Sequence, residues 1–127
     1  MMKQIAKDAG ADDVGIIDLK RESVSEYKSD LLSVMHDTKS MMIVAVRINQ
    51  TPLRSLAHSV ADQEFKRVWE NFKNIEGQIV DQLSRAGIKA VGMPIGFPME
   101  MKRWPERITL ISYHVIPTIT GSVLVVF

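Results

Sequence analysis

The chain has 127 residues, 46% of them hydrophobic and 24% charged, with a formal net charge of +1 spread as both signs along its length. That length suits one domain or a piece of one, and the near-neutral balance gives no broad basic field for nucleic acid. The chain contains no cysteine, which excludes disulfides, thiolate zinc sites and a cysteine-ligated iron–sulfur cluster of its own.

The first residues, Met1-Met2-Lys3-Gln4-Ile5-Ala6-Lys7-Asp8, set a charge within every short apolar stretch. They read as neither a signal peptide nor a membrane span, so a cytoplasmic location without a membrane partner is expected. Residues 3–9 predict a short helix with Ile5, Ala6 and Ala9 on one side and Gly10 as its stop. Asp12 and Asp13, read as a turn and a cap, lead into Val14-Gly15-Ile16-Ile17, a short buried strand. Residues 23–34 predict a second helix, with Val24, Tyr27, Leu31, Leu32 and Val34 on or near one face. After the polar turn Asp37-Thr38-Lys39-Ser40, residues 41–48 are apolar on both faces, the pattern of a central strand in a sheet covered on both sides. Asn49-Gln50-Thr51-Pro52 ends that strand.

The clearest periodicity runs over residues 62–86. Phe65, Val68, Trp69, Phe72, Ile75, Ile79, Leu83 and Ala86 recur at steps of three and four, a stripe along roughly 37 Å of helix. Gly87 closes this helix and Ile88-Lys89-Ala90-Val91 follows as a strand. A long helix between two strands predicts a crossover that sets them parallel, as neighbours or not. Met93-Pro94-Ile95-Gly96-Phe97-Pro98 reads as a structured loop, residues 99–107 carry mixed charge around Trp104-Pro105, and residues 108–114 fit a strand or a helix. The tail, 122–127, is strand-like; an unfinished sheet would pair it with a second copy or leave it as an exposed edge. The fold class expected is α/β or α+β: a mixed sheet with a long crossover helix.

Residue chemistry is sparse. His36, His58 and His114 are far apart, and none stands at the i, i+4 spacing of a paired metal site, so no metal ligand is assigned. Gly92 and Gly96 lack the spacing of a dinucleotide fingerprint. Ser112 and His114 would share a face of a strand, but nothing marks an oxyanion hole or third partner. Phe65, Trp69 and Phe72 read as core, and Lys66, Arg67, Lys73, Lys102, Arg103 and Arg107, interleaved with acids, as a solvated face.

Four segments carry a resemblance. Ala9-Gly10-Ala11-Asp12-Asp13-Val14-Gly15-Ile16-Ile17 resembles the "GADLVGIA" opening of the N-terminal domain of the epoxyqueuosine reductase and reductive dehalogenase-like ferredoxin proteins. In the same order, Thr38-Lys39-Ser40-Met41-Met42-Ile43-Val44 is similar to that family's "AKSVIVIG" strand. Residues 83–91 are similar to its "LEEKGYRAV" helix end and strand, and Ile111-Ser112-Tyr113-His114 to its "FSHKHAAV" motif. The resemblance covers most of the chain, to about Gly121. It implies a nitroreductase-like scaffold that cradles a corrinoid such as cobalamin, with FMN as the second candidate, while a later segment with two cysteine clusters holds two [4Fe–4S] clusters that deliver electrons.

Here that later segment is missing from the sequence, so the resemblance implies one partial scaffold domain over residues 1–127 without its ferredoxin domain and without a 4Fe-4S cluster. Electrons would come from a separate ferredoxin or from the missing C-terminal segment, and the chain alone would not be a competent oxidoreductase. The residues it points to for the cofactor are His114 and Ser112, then Met93, Pro94 and Gly96 in the loop. Two departures stand out. The glycine-rich "AGLGWIG" continuation is replaced by Tyr113-His114-Val115-Ile116-Pro117-Thr118-Ile119-Thr120-Gly121, and the family's proton-donor aspartate would fall within residues 92–97, where no acid occurs and Glu100 is the next one. Epoxyqueuosine reduction itself is therefore not expected. The alternatives are an inactive truncated fragment, a non-catalytic scaffold that self-associates as a homodimer, and a flavin-binding nitroreductase-like domain.

Overall fold

The computed structural model describes residues 1–25, 28–92 and 119–126. In chain order these form α1 (Met2–Asp8), β1 (Asp13–Asp18), a 3-10 turn (Glu22–Val24), α2 (Lys28–Val34) and β2 (Ser40–Arg47), followed by α3 (Gln50–Leu53), α4 (His58–Arg85), β3 (Val91–Gly92) and β4 (Ile119–Val126). Helix and strand are mixed along the chain, an α+β arrangement.

Both glycines expected to stop helices do so by the same geometry. Gly10 has φ 109 and Gly87 φ 78, backbone conformations that a Cβ disfavours. At the end of α1, Gly10 N–H donates to the Lys7 carbonyl and Ala11 N–H to that of Ala6; at the end of α4, Gly87 N–H donates to Ser84 and Ile88 N–H to Leu83. Each pair is a Schellman closure that satisfies the last free carbonyls and turns the chain out of the helix. Ile88 N–H is held in that closure, and the strand expected from Ile88 is observed at Val91–Gly92.

The four strands form one sheet in the order β1-β2-β4-β3, and every neighbouring pair is antiparallel. Strands β2 and β3 are each antiparallel to β4, so they run parallel to one another, as the α4 crossover predicts, with β4 between them. The mixed sheet expected from the sequence is thus corrected: among the described residues no two adjacent strands are parallel. The expected exposed edge at the tail is corrected only at Val125 and Val126, where β3 covers it. β4 is an inner strand, paired with β2 from Arg47↔Ile119 to Met41↔Val126 and with β3 at Val125 and Val126.

Alternation along the paired strands builds two cores. Val14 lies opposite Val44 and Ile16 opposite Met42, and these pack with Val46, Ile48, Ala6 and Ala9 beneath the α4 residues Val68, Phe72, Ile75, Ile79 and Leu83. The intervening residues Ile17, Met41 and Ile43 face the other way, against Leu19, Val24 and Leu31. The sheet is therefore covered on both sides at β2, as its unbroken apolar run predicts. The helix expected over residues 23–34 is divided between the 3-10 turn and α2, with serines at 23 and 25 that compete for backbone hydrogen bonds and weaken a continuous helix.

Along α4 the stripe is shifted at its start. Phe65, expected in the core, is 39% exposed, whereas Glu64 is buried in line with Val68. Trp69 is half-buried and Ala86 is exposed at the cap. No helix among the described residues is long and apolar enough to cross a membrane.

Candidate functional site

Where β2 ends, the chain makes a sharp sequence of polar contacts. Asp12, just before β1, accepts a hydrogen bond from Arg47 N–H through Oδ2 at 2.6 Å, joining positions 35 residues apart. Asp12 N–H itself donates to the Ala45 carbonyl. Next, Asn49 N–H donates to Glu64 Oε1 at 2.9 Å, and the Asn49 side chain accepts from Thr51 N–H to start α3, the capping role that suits a short amide side chain. Pro52 is tolerated in the first turn of α3, where its missing N–H has no helical partner to lose.

Glu64 is the hub of this end of the molecule. Its carboxylate, 7% exposed, receives Arg67 Nε–H at Oε2 (2.8 Å) and Arg67 Nη2–H at Oε1 (2.6 Å), as well as the Asn49 amide. These donors hold its pKa at about 2: the Arg67 hydrogen bonds lower it most, burial opposes them, and the Asn49 N–H adds to the lowering. Arg67 is correspondingly pushed up by Glu64. The bidentate fork fixes the guanidinium plane against α4.

Around this clamp lies an open cleft of about 630 Å³ lined by Asp12, Arg47, Ile48, Asn49, Gln50 and Arg67. It sits beside an irregularity in the sheet: between Ala45 and Arg47, β2 advances two residues while β4 advances three, from Ser122 to Ile119. Such bulges re-aim side chains at strand ends. Chemically the cleft offers cationic and amide donors and one carboxylate. Among the described residues no group of three or more His, Asp and Glu is placed to hold a metal ion.

At the β3 end, Gly92 lies close under the Glu76 side chain, which would have to move to admit a larger residue. A Cβ there would overlap the Glu76 carboxylate, a half-buried acid whose pKa is raised by burial. The residues that the resemblance names for a cofactor, His114, Ser112, Met93, Pro94 and Gly96, lie outside the described residues, as do Glu100 and Trp104. His36 and His58 are exposed.

The sequence reading missed the cleft. It places Arg67 on a solvated face with Lys66 and Lys73; Lys66 pairs on the surface with Asp62 at 2.7 Å, and Arg67 is exposed as expected, but it is also clamped to a buried carboxylate. The available signal was Glu64 itself, an acid in register with the buried stripe and three residues before an arginine. Comparison with known proteins finds no matching family model, no matching curated protein and no matching solved structure.

Proposed function

We propose that this chain is a redox-associated scaffold resembling the corrinoid-binding N-terminal part of the epoxyqueuosine reductase-like iron–sulfur proteins, with a nitroreductase-like fold and without electron-transfer clusters of its own. What carries the reading is the place that three of the four resembling segments take in the fold. The first forms the α1 closure and β1, the second forms β2 directly paired to it, and the third forms the α4 closure and the start of β3. Segments matched only by order along the sequence thus belong to one contiguous sheet and its crossover helix.

A corrinoid supplies one-electron and cobalt-centred chemistry when bound, and the residues proposed to face it are His114, Ser112, Met93, Pro94 and Gly96. The chain's own part is to hold and orient it; electrons would be delivered by a separate ferredoxin or a cluster-bearing segment. FMN is the second candidate. The test is titration of the purified chain with cob(II)alamin and, in parallel, FMN, followed by absorbance and by tryptophan fluorescence. Saturable quenching by the corrinoid that is lost in His114→Ala is expected. A folded protein that binds neither ligand overturns the reading in favour of a non-catalytic scaffold.

A further inference from the structure

The sheet ends on β1, and the outer edge of that strand carries a pattern of its own. Leu19 N–H donates to the Lys39 carbonyl, in the same register that pairs Asp18 with Ser40. Bonded positions alternate along an antiparallel pair, so residues 13, 15 and 17 bond inward to β2, while Val14, Ile16 and Asp18 turn their N–H and C=O groups outward. Two of these outward groups are already held. Val14 N–H donates to Asp13 Oδ1 at 2.8 Å, and the Asp18 carbonyl accepts from Arg21 N–H. The others, Val14 C=O, both groups of Ile16 and Asp18 N–H, have no partner among the described residues.

We infer that β1 pairs with β1 of a second copy, antiparallel about a two-fold axis at Ile16, joining the two sheets edge to edge. In that register Ile16 lies opposite Ile16, and Val14 lies opposite Asp18 of the other copy. The free groups then meet as donor to acceptor: Ile16 exchanges both bonds with its mate, and each Asp18 N–H reaches a Val14 carbonyl. The bond left unmade is Val14 N–H to the Asp18 carbonyl, and both of those groups are satisfied within their own chain. The free edge is thus complementary to itself, as an isologous contact requires. Side chains fit the same register. Gly15 would face Ile17 of the other copy; Gly15 is exposed with nothing within 4 Å of where a Cβ would stand, and Ile17 is half-buried, so each glycine leaves room for an isoleucine. Beyond the strand, the exposed Asp12 and Asp13 of one copy approach the exposed Lys20 and Arg21 of the other, which sets opposite charges together at both ends of the contact.

One short strand makes a small interface, so the dimer is weak and depends on concentration. The experiment is sedimentation velocity of the intact chain from micromolar to millimolar concentration, with amide hydrogen exchange measured over the same range. A reversible equilibrium between monomer and dimer is expected, in which the amides of Ile16 and Asp18 gain protection as the dimer forms. Gly15→Lys fills space that is open in the single chain and sets a cation against Ile17 of the other copy. It should leave the fold intact and raise the dissociation constant at least about tenfold. Ile16→Pro removes the outward N–H at an edge position where proline is tolerated, and should weaken the dimer in the same way. A chain that stays monomeric at every concentration overturns the contact. So does a dimer that Gly15→Lys leaves unchanged, or one that forms without protecting Ile16 and Asp18. Because no corrinoid or flavin is present in these measurements, their outcome is independent of the cofactor reading.

Discussion

The same strands face two differently built layers. On one side, alternate residues of β1 and β2 meet α4, a helix of 28 residues, and α1 packs beside it. On the other side, among the described residues, the intervening residues meet a 3-10 turn and a seven-residue helix, with Leu19, Val24, Leu31 and Met41 as the buried set. A long helix with a regular stripe can bury many side chains at the cost of ordering one element, whereas a helix of seven residues is not stable without its packing partners. Stability should therefore be concentrated on the α4 side, and the α2 side should open first.

The largest effect expected is at the centre of the stronger layer. Ile75 is fully buried, and its Cγ1 and Cδ1 lie 3.7 and 3.8 Å from where a Gly10 Cβ would stand, so α1 and α4 meet around it. Ile75→Ala should cost about 2–5 kcal/mol in urea unfolding. Leu31 is as deeply buried on the other side, where it packs against the sheet and against the 3-10 turn at Val24, a short element that can collapse into part of the space left. Leu31→Ala should cost less, about 2 kcal/mol. Hydrogen exchange should show amides of residues 28–34 opening well before those of residues 68–83. Equal costs and equal protection would abolish the distinction between the layers.

Next comes the clamp at the edge of the stronger layer. The Glu64 carboxyl is held at about 2, below its ordinary value near 4.5, so the folded state binds its proton less readily than the unfolded state does. Its contribution is present in full above about pH 4.5 and is lost as pH falls toward 2. Glu64→Gln should remove that part of the acid sensitivity and lower stability at neutral pH by about 1.5 kcal/mol, the worth of hydrogen bonds to a charged group. If the variant and the parent have parallel stability curves between pH 5 and pH 2, taken as about the span of an ordinary carboxylate titration, the clamp is not what the geometry says. Gly10→Ala should cost about 1 kcal/mol, from forcing a Cβ into a positive-φ position.

These elements were not equally legible in the sequence. α4 and the two helix stops announce themselves because the relevant spacings are local: three and four residues for the stripe, two residues past the last helical residue for Gly10 and Gly87. The strand order is not local. That β4 inserts between β2 and β3 depends on pairing residues such as Val44 with Val123, and no short window contains that information. The cleft was hidden for the same reason, since Asp12 meets Arg47 and Asn49 meets Glu64 across 35 and 15 residues. Asp12 and Asp13 look alike in sequence as a turn pair, yet only Asp13 behaves locally, accepting from its neighbour Val14 N–H. The cofactor residues proposed around His114 rest on resemblance alone, because they fall outside the described residues.

The smallest effect expected is at the one described ion pair that links the connectors of the two layers. Asp37, in the turn after α2, accepts a hydrogen bond from Lys89 Nζ, in the segment leaving α4, at 3.0 Å. The Lys89 hydrogen bond lowers the pKa of Asp37, so any stabilisation is present at neutral pH and fades as pH falls through the carboxylate range. Both side chains are well exposed, at 74% for Lys89 and 40% for Asp37, and exposed pairs of long side chains are screened by salt and weakened by the entropy of holding one geometry. Lys89→Ala should leave the unfolding midpoint within error of the parent in moderate salt, and lower it only slightly at low ionic strength. A clear loss of protection in residues 28–34 on this substitution would mean that the weaker layer is tied to α4 through its connector, and that the two layers unfold together rather than in turn.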